Sequence, residues 1–136
     1  MAKLKLEIIT PERLLLSQEV TEVQIPTLNG EIGILPGHTS LISQLAIAGM
    51  LKYRDEGKEQ LAVVGSGFVE VFNDKVTILS SLAEKPEDIN VESARRDLET
   101  AEQLLKSVEK DQDASISDAL AKVERASVRL QAAQNK

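Results

Sequence analysis

Few side chains in this 136-residue sequence can do covalent or acid–base chemistry. There is no cysteine, which removes thiol nucleophiles, thiolate metal sites and disulfides together. The single histidine, His38, excludes a histidine metal cluster. To act as a catalytic base it would need a nucleophile and a supporting acid, and no motif places them. Gly65-Ser66-Gly67 is not a nucleophile elbow, because that turn needs glycines two residues to each side of the serine. It reads as a bend between strands. The stretch Asn29-Gly30-Glu31-Ile32-Gly33-Ile34-Leu35-Pro36-Gly37-His38 lacks the Lys-Ser/Thr ending of a phosphate-binding loop and opens no helix. Recognition chemistry is what remains. Those ten residues hold three of the seven glycines and one of the four prolines. Asn29-Gly30 and Pro36-Gly37 are both strong turn signals. A loop pinned twice, offering the Glu31 carboxylate, the apolar Ile32 and Ile34, and one imidazole, suits a grip by another protein. A second group of polar candidates is the stripe Lys122, Arg125 and Arg129, spaced three and four residues apart and partly neutralised by Glu124.

The totals narrow the partners. Lys+Arg 16 against Asp+Glu 22 gives a net charge of -6, which opposes a nucleic-acid footprint. One Tyr and two Phe make a poor base-stacking platform. The opening Met-Ala-Lys-Leu-Lys-Leu-Glu has neither the apolar core of a signal peptide nor the run of ~20 apolar residues of a membrane span. A soluble protein that stays in the cytosol is expected, with no metal and no catalytic residue.

Two halves with different periodicities must position these groups. Every glycine and proline lies at or before Pro86, and residues 87–136 contain no aromatic residue. In the first half Leu4, Leu6 and Ile8 alternate with Lys3, Lys5 and Glu7, the period of a strand with one buried face. Val23-Gln24-Ile25 predicts a strand stopped by Pro26. Met50–Arg54 and Gln60–Val64 predict one hairpin across Asp55–Lys58, and Phe68–Val71 and Val76–Leu79 a second across Asn73-Asp74. Turn signals every eight to twelve residues favour a β-sandwich or barrel. In the second half Val91, Ala94, Leu98, Ala101, Leu105 and Val108 form one helical seam, and Ile116, Ala119, Val123, Ala126, Leu130 and Ala133 another. Asn90 and Ser115 stand as helix N-caps. The short polar link Asp111–Ala114 predicts an antiparallel helical hairpin. Its alanine-rich seams bury little, so the pair needs a surface to lie on and can exchange one surface for another. The expected domains are a sandwich over 1–86 and the hairpin over 87–136.

A sandwich of about ten strands, then a helix pair, with Gly30-Glu31-Ile32-Gly33-Ile34-Leu35-Pro36-Gly37-His38 in the first half, resembles the ε subunit of bacterial F-type ATP synthases. The resemblance also covers Glu7-Ile8-Ile9-Thr10-Pro11-Glu12, Gly65–Val71 and Val76–Leu79. It implies a non-catalytic rotor subunit of the central stalk, at the cytoplasmic face of the bacterial inner membrane and peripheral to it. Its partners would be the γ subunit, the c-subunit ring and, when the helices extend, the catalytic α and β subunits. Glu31, Ile32, Ile34 and His38 would contact γ and the ring, with the Glu31 loop towards the ring and His38 near γ. Lys122, Arg125 and Arg129 would act as an inhibitory contact that suppresses ATP hydrolysis. Some relatives bind ATP through Ile-Asp-x-x-Arg-Ala; the matching residues here are Ile89-Asn90-Val91-Glu92-Ser93-Ala94. Glu84, Arg125 and Arg129 match other positions of that pocket, while Thr100 stands where a further arginine would. The pocket of Glu84, Ile89, Asn90, Ala94, Arg125 and Arg129 is thus degenerate, because Asn90 and Ser93 replace the aspartate and the arginine. No cofactor is expected. The rival reading is a stand-alone sandwich module that self-associates through its helices.

Overall fold

The computed structural model describes residues 2–110 and 116–134. Ten strands come first: β1 Leu4–Ile9, β2 Leu14–Val20, β3 Glu22–Thr27, β4 Gly30–Ile34, β5 Leu41–Gln44, β6 Ala48–Asp55, β7 Lys58–Gly65, β8 Gly67–Phe72, β9 Lys75–Ser80 and β10 Ala83–Glu84. A short 3₁₀ turn, Pro86–Asp88, leads to α1 Val91–Lys110 and α2 Ile116–Gln134. The strands form two five-stranded sheets, ordered β2-β1-β9-β8-β5 and β10-β7-β6-β3-β4. Their inner faces meet in one core that includes Leu4, Leu6, Ile8, Ile25, Leu51 and Ile78, all unexposed. The alternation at the N-terminus is therefore used as expected, with Lys5 outside.

Both expected hairpins form. Asp55 pairs with Lys58 around Glu56-Gly57, at φ 52° and 82°, and Phe72 pairs with Lys75 around Asn73-Asp74, at φ 49° and 59°. Two successive positive φ values give the primed turn whose twist matches the strands. At Gly67, φ is +155° and an added Cβ would stand 1.9 Å from the Leu79 carbonyl oxygen, so only glycine fits.

Pro26 does not stop its strand. β3 runs on to Thr27, with Pro26 opposite Glu31. Because Thr27 and Gly30 close the tight turn, Pro26–Glu31 is a wide pair whose main-chain groups point away from β4. The ladder from β3 to β6 already ends at Gln24, so no ladder bond is lost at the proline nitrogen. Gly49 leaves the room: a Cβ there would lie 2.6 Å from Pro26 Cβ.

The helices run antiparallel, since Asp97 of α1 bonds Arg129 of α2 while Leu104 shares a groove with Lys122. The Asn90 cap is made: Asn90 Oδ1 accepts from the Ser93 amide at 2.9 Å. The Ser115 cap and the Asp111–Ala114 link lie outside the described residues. Ala94, Ala101, Val108, Ala119, Ala126 and Ala133 of the two seams are buried within the single chain, which leaves no free seam for coiled-coil self-association. Ile116 departs from the pattern and is half exposed. Ala132 is wholly buried, because the end of α2 turns onto the second sheet. There Val63, Ile89, Ala94, Ala132 and Ala133 form a second, smaller core, with Met50 and Leu82 packed against it.

Candidate docking face and interhelix groove

The loop singled out by sequence is held as its turn residues require. Leu35–His38 closes a turn, with the His38 amide donating to the Leu35 carbonyl at 3.1 Å and Gly37 at φ +85°. The Gly37 amide also donates to Asp74 Oδ1 at 2.7 Å, tying this turn to the β8–β9 hairpin. Glu31 is exposed, and no hydrogen bond or ion pair engages it among the described residues. His38 is exposed as well, with Nδ1 2.7 Å from the Thr39 carbonyl oxygen. A carbonyl only accepts, so Nδ1 carries the proton in this contact. Ile32 is half-buried against the core. Ile34 must be removed from any contact surface, because strand alternation turns it inward and its exposure is zero. Leu35, exposed by 57%, takes its place on the outside of the loop.

A larger surface lies on the outer face of the first sheet. The register aligns Leu14 with Ile9, Ile9 with Leu79, and Leu79 with Phe68. Leu14, Leu79 and Phe68 are 53%, 49% and 55% exposed, so an apolar row crosses four strands in open water. At the other end of the same face stand Ile42, exposed by 71%, and Phe72, beside an open depression of about 520 Å³. The sequence carried a local trace of this face. Both phenylalanines alternate with buried Val69 and Val71, which places them outward. Between the apolar ends Glu7 accepts from Lys75 at 2.9 Å, and this bond holds the carboxyl below its ordinary pKa. Apolar surface of this extent on a small domain is the mark of a partner site.

The second sheet offers no such face, because α2 lies on it. Between the helices runs a groove of about 290 Å³ lined by Thr100, Leu104, Lys122 and Arg125, among others. Arg129 closes one end. Its Nε and Nη2 donate to the two carboxylate oxygens of Glu84, at 2.6 and 3.1 Å, and its Nη1 donates to Asp97 Oδ2 at 3.0 Å. The bonds to Glu84, ahead of the other influences, hold the guanidinium above its ordinary pKa. Glu84, Arg125 and Arg129, read as parts of a nucleotide pocket, therefore fall near one another, but Arg129 is already satisfied by carboxylates. Ile89 and Ala94 are in the small core and Asn90 is spent on its cap. Asp97 was not read from the sequence, since only folding brings it to a residue 32 positions away. Among the described residues no cluster of His, Asp and Glu could hold a metal ion. No helix among the described residues is long and apolar enough to cross a membrane.

Comparison with known proteins gives the same two parts. Residues 3–86 match the family described as ATP synthase, Delta/Epsilon chain, beta-sandwich domain, and residues 87–134 the family's long alpha-helix domain. The chain is 47% identical over 103 residues to the ATP synthase epsilon chain of Carboxydothermus hydrogenoformans, covering 76% of each. It is 40% identical over 131 residues to that of Geotalea uraniireducens, covering 96% of this chain and 94% of the relative. Among solved structures, a chain of the Euglena gracilis mitochondrial ATP synthase, in a cryo-EM structure of OSCP, F1 and c-ring, superposes with a TM-score of 0.82. Its identity is 28%, over 98% of this chain and 82% of that one. A chain of the Tetrahymena thermophila mitochondrial enzyme shares the fold at a TM-score of 0.62, with 19% identity and 97% of each chain covered. The chain belongs to the delta/epsilon family of ATP synthase subunits, as an epsilon chain of the F-type enzyme.

Proposed function

We propose that this chain is a non-catalytic rotor subunit of the central stalk. In this reading it docks on the γ subunit, rests on the c-subunit ring and couples ring rotation to ATP synthesis. Its sandwich, 1–86, carries assembly, and its helices, 87–136, restrain ATP hydrolysis when they lift towards the catalytic α and β subunits. It works at the cytoplasmic face of the bacterial inner membrane, held there by its partners. The observation that carries this is the asymmetry of the two sheets. One outer face is bare and apolar from Leu14 to Phe68, while the other is covered by the helix pair. A permanent apolar partner on the bare face accounts for the first, and γ is the partner proposed. Glu31 and Leu35 are offered to the ring, with Ile32 as backing. His38 lies close to the Ile42–Phe72 end of the docking face, tied through Gly37 and Asp74. Lys122 and Arg125 line the interhelix groove and meet no carboxylate among the described residues, which leaves them for an acidic surface.

The test is reconstitution of the F-type complex with the full chain and with a chain ending at Asp88. Both should join γ and support ATP synthesis, and only the full chain should restrain hydrolysis. A folded short chain that fails to bind γ refutes the division of labour. Equal hydrolysis with both chains refutes the regulatory role of the helices.

A further inference from the structure

The three cations of α2 are spaced as one stripe but are not in one situation. Arg129 is three-quarters buried at its side chain and bonded to carboxylates from two other elements, Glu84 of β10 and Asp97 of α1. Lys122 and Arg125 have no carboxylate partner among the described residues. Glu84 is the important member, because it belongs to the sandwich. It pairs with Val63 in the second sheet, next to the core that the helix end covers. The paired bonds from Arg129 to Glu84 therefore tie the helix pair to the sandwich, 45 residues away. Two parallel bonds between a guanidinium and a carboxylate have a fixed geometry that a lysine or a shifted helix cannot reproduce.

We infer that Arg129 is the latch of the folded arrangement, so that the stripe divides into residues of opposite effect. Arg129 holds α2 on the sandwich, Glu84 receives it, and Asp97 keeps α1 in register with both. Lys122 and Arg125 line the interhelix groove with no ion pair among the described residues to hold it closed and are available for an acidic protein surface once the helices lift; this second half rests on the regulatory reading above. Closure needs no bound ligand, because the guanidinium is neutralised from within. Loss of Arg129 should then favour the lifted state and strengthen restraint of hydrolysis. Loss of Lys122 and Arg125 should weaken it.

The first test is hydrogen exchange on the isolated full-length chain. Arg129→Gln should speed exchange in the last turns of α2 and near Val63 and Ile89 by about tenfold, with β1, β8 and β9 unchanged. Glu84→Gln should act alike, and the double variant should be no worse than Arg129→Gln alone, because both remove one interaction. Lys122→Gln with Arg125→Gln should leave exchange as it was. Wild-type exchange after Arg129→Gln, or an equal effect of the Lys122 and Arg125 changes, overturns the latch. Should Arg129→Gln loosen the sandwich too, Arg129→Lys decides, because it keeps the charge and loses the parallel bonds. It must speed helix exchange while β1, β8 and β9 stay protected, and wild-type helix exchange in Arg129→Lys overturns the latch. In the reconstituted complex, Arg129→Gln should slow hydrolysis, and the Lys122 and Arg125 pair should release it. If exchange behaves as expected but neither variant changes hydrolysis, the latch stands and the regulatory reading fails.

Discussion

Truncating the apolar row of the first sheet should separate docking from folding. Phe68 and Leu79 face each other across β8 and β9 and are 55% and 49% exposed. A phenylalanine presents roughly 150–250 Å² in all, so about 100 Å² of Phe68 stands in water and would be covered by a partner. At about 25 cal/mol per Å², covering it is worth about 2.5 kcal/mol, of which alanine keeps a small part. Half of a leucine adds about 1 kcal/mol. Phe68→Ala with Leu79→Ala should thus weaken docking by about 3 kcal/mol, on the order of a hundredfold in Kd. Their exposed halves contribute little to folding, so the sandwich itself should lose only about 1 kcal/mol of cross-strand contact. Glu70→Ala, on the same face, serves as the control and should change neither quantity by more than about 0.5 kcal/mol. The assay is titration calorimetry against purified γ subunit, with thermal unfolding run in parallel. Binding of the folded double variant within threefold of the parent would refute the assignment of this face. So would an equal loss on Glu70→Ala, which would point to charge rather than apolar cover.

Three further outcomes are expected. Burial, and then the Glu87 carboxylate, raise the Tyr53 pKa above its ordinary 10.0. The folded chain therefore holds this proton more tightly than the unfolded one, and stability present below pH about 10 falls as pH rises past it. Tyr53 is the single tyrosine beside no tryptophan, so tyrosinate absorbance reads its titration directly; an ordinary titration midpoint refutes this. Gly67→Ala should cost about 3 kcal/mol or more, since the new Cβ would meet the Leu79 carbonyl and φ is unfavourable. An unchanged Tm would show that β8 can shift to accept it. Asn90→Ala should cost about 1 kcal/mol and speed exchange of the Ser93 amide at the start of α1; unchanged exchange there would mean the cap is idle.

The parts of this molecule legible in its sequence are those set by neighbours along the chain. Leu4, Leu6 and Ile8 announced a buried strand face, Asn73-Asp74 a primed turn, and the spacing of Ala94, Ala101 and Val108 a seam. Pro26 misled, because a proline is tolerated in a strand when its nitrogen faces away from the paired neighbour, and Gly49, which makes the room, is 23 residues on. Ile34 misled in another way: the loop that contains it was read as one surface, although strand alternation puts its alternate side chains on opposite faces. The candidate site was less legible than the fold. The row from Leu14 to Phe68 draws one residue from each of four strands, and the partners of Arg129 are 45 and 32 residues distant. Local patterns have no means of recording such encounters.

The position of β1 has a consequence for how the chain is made. It lies inside the first sheet, between β2 and β9, and Leu6 pairs in parallel with Val76, seventy residues downstream. During synthesis the opening strand must wait for nearly the whole sandwich to emerge before its second neighbour exists. Non-local pairing of this kind is slow, and until it happens one apolar edge is unpartnered. Once β9 arrives, the sandwich closes as a unit, and only afterwards are the helices released to settle on it. The helix pair is thus made after the sandwich and lies outside the closing step. Changes in α1 or α2 leave the sandwich to close as before, whereas a lesion in β1 would undo both sheets' common core.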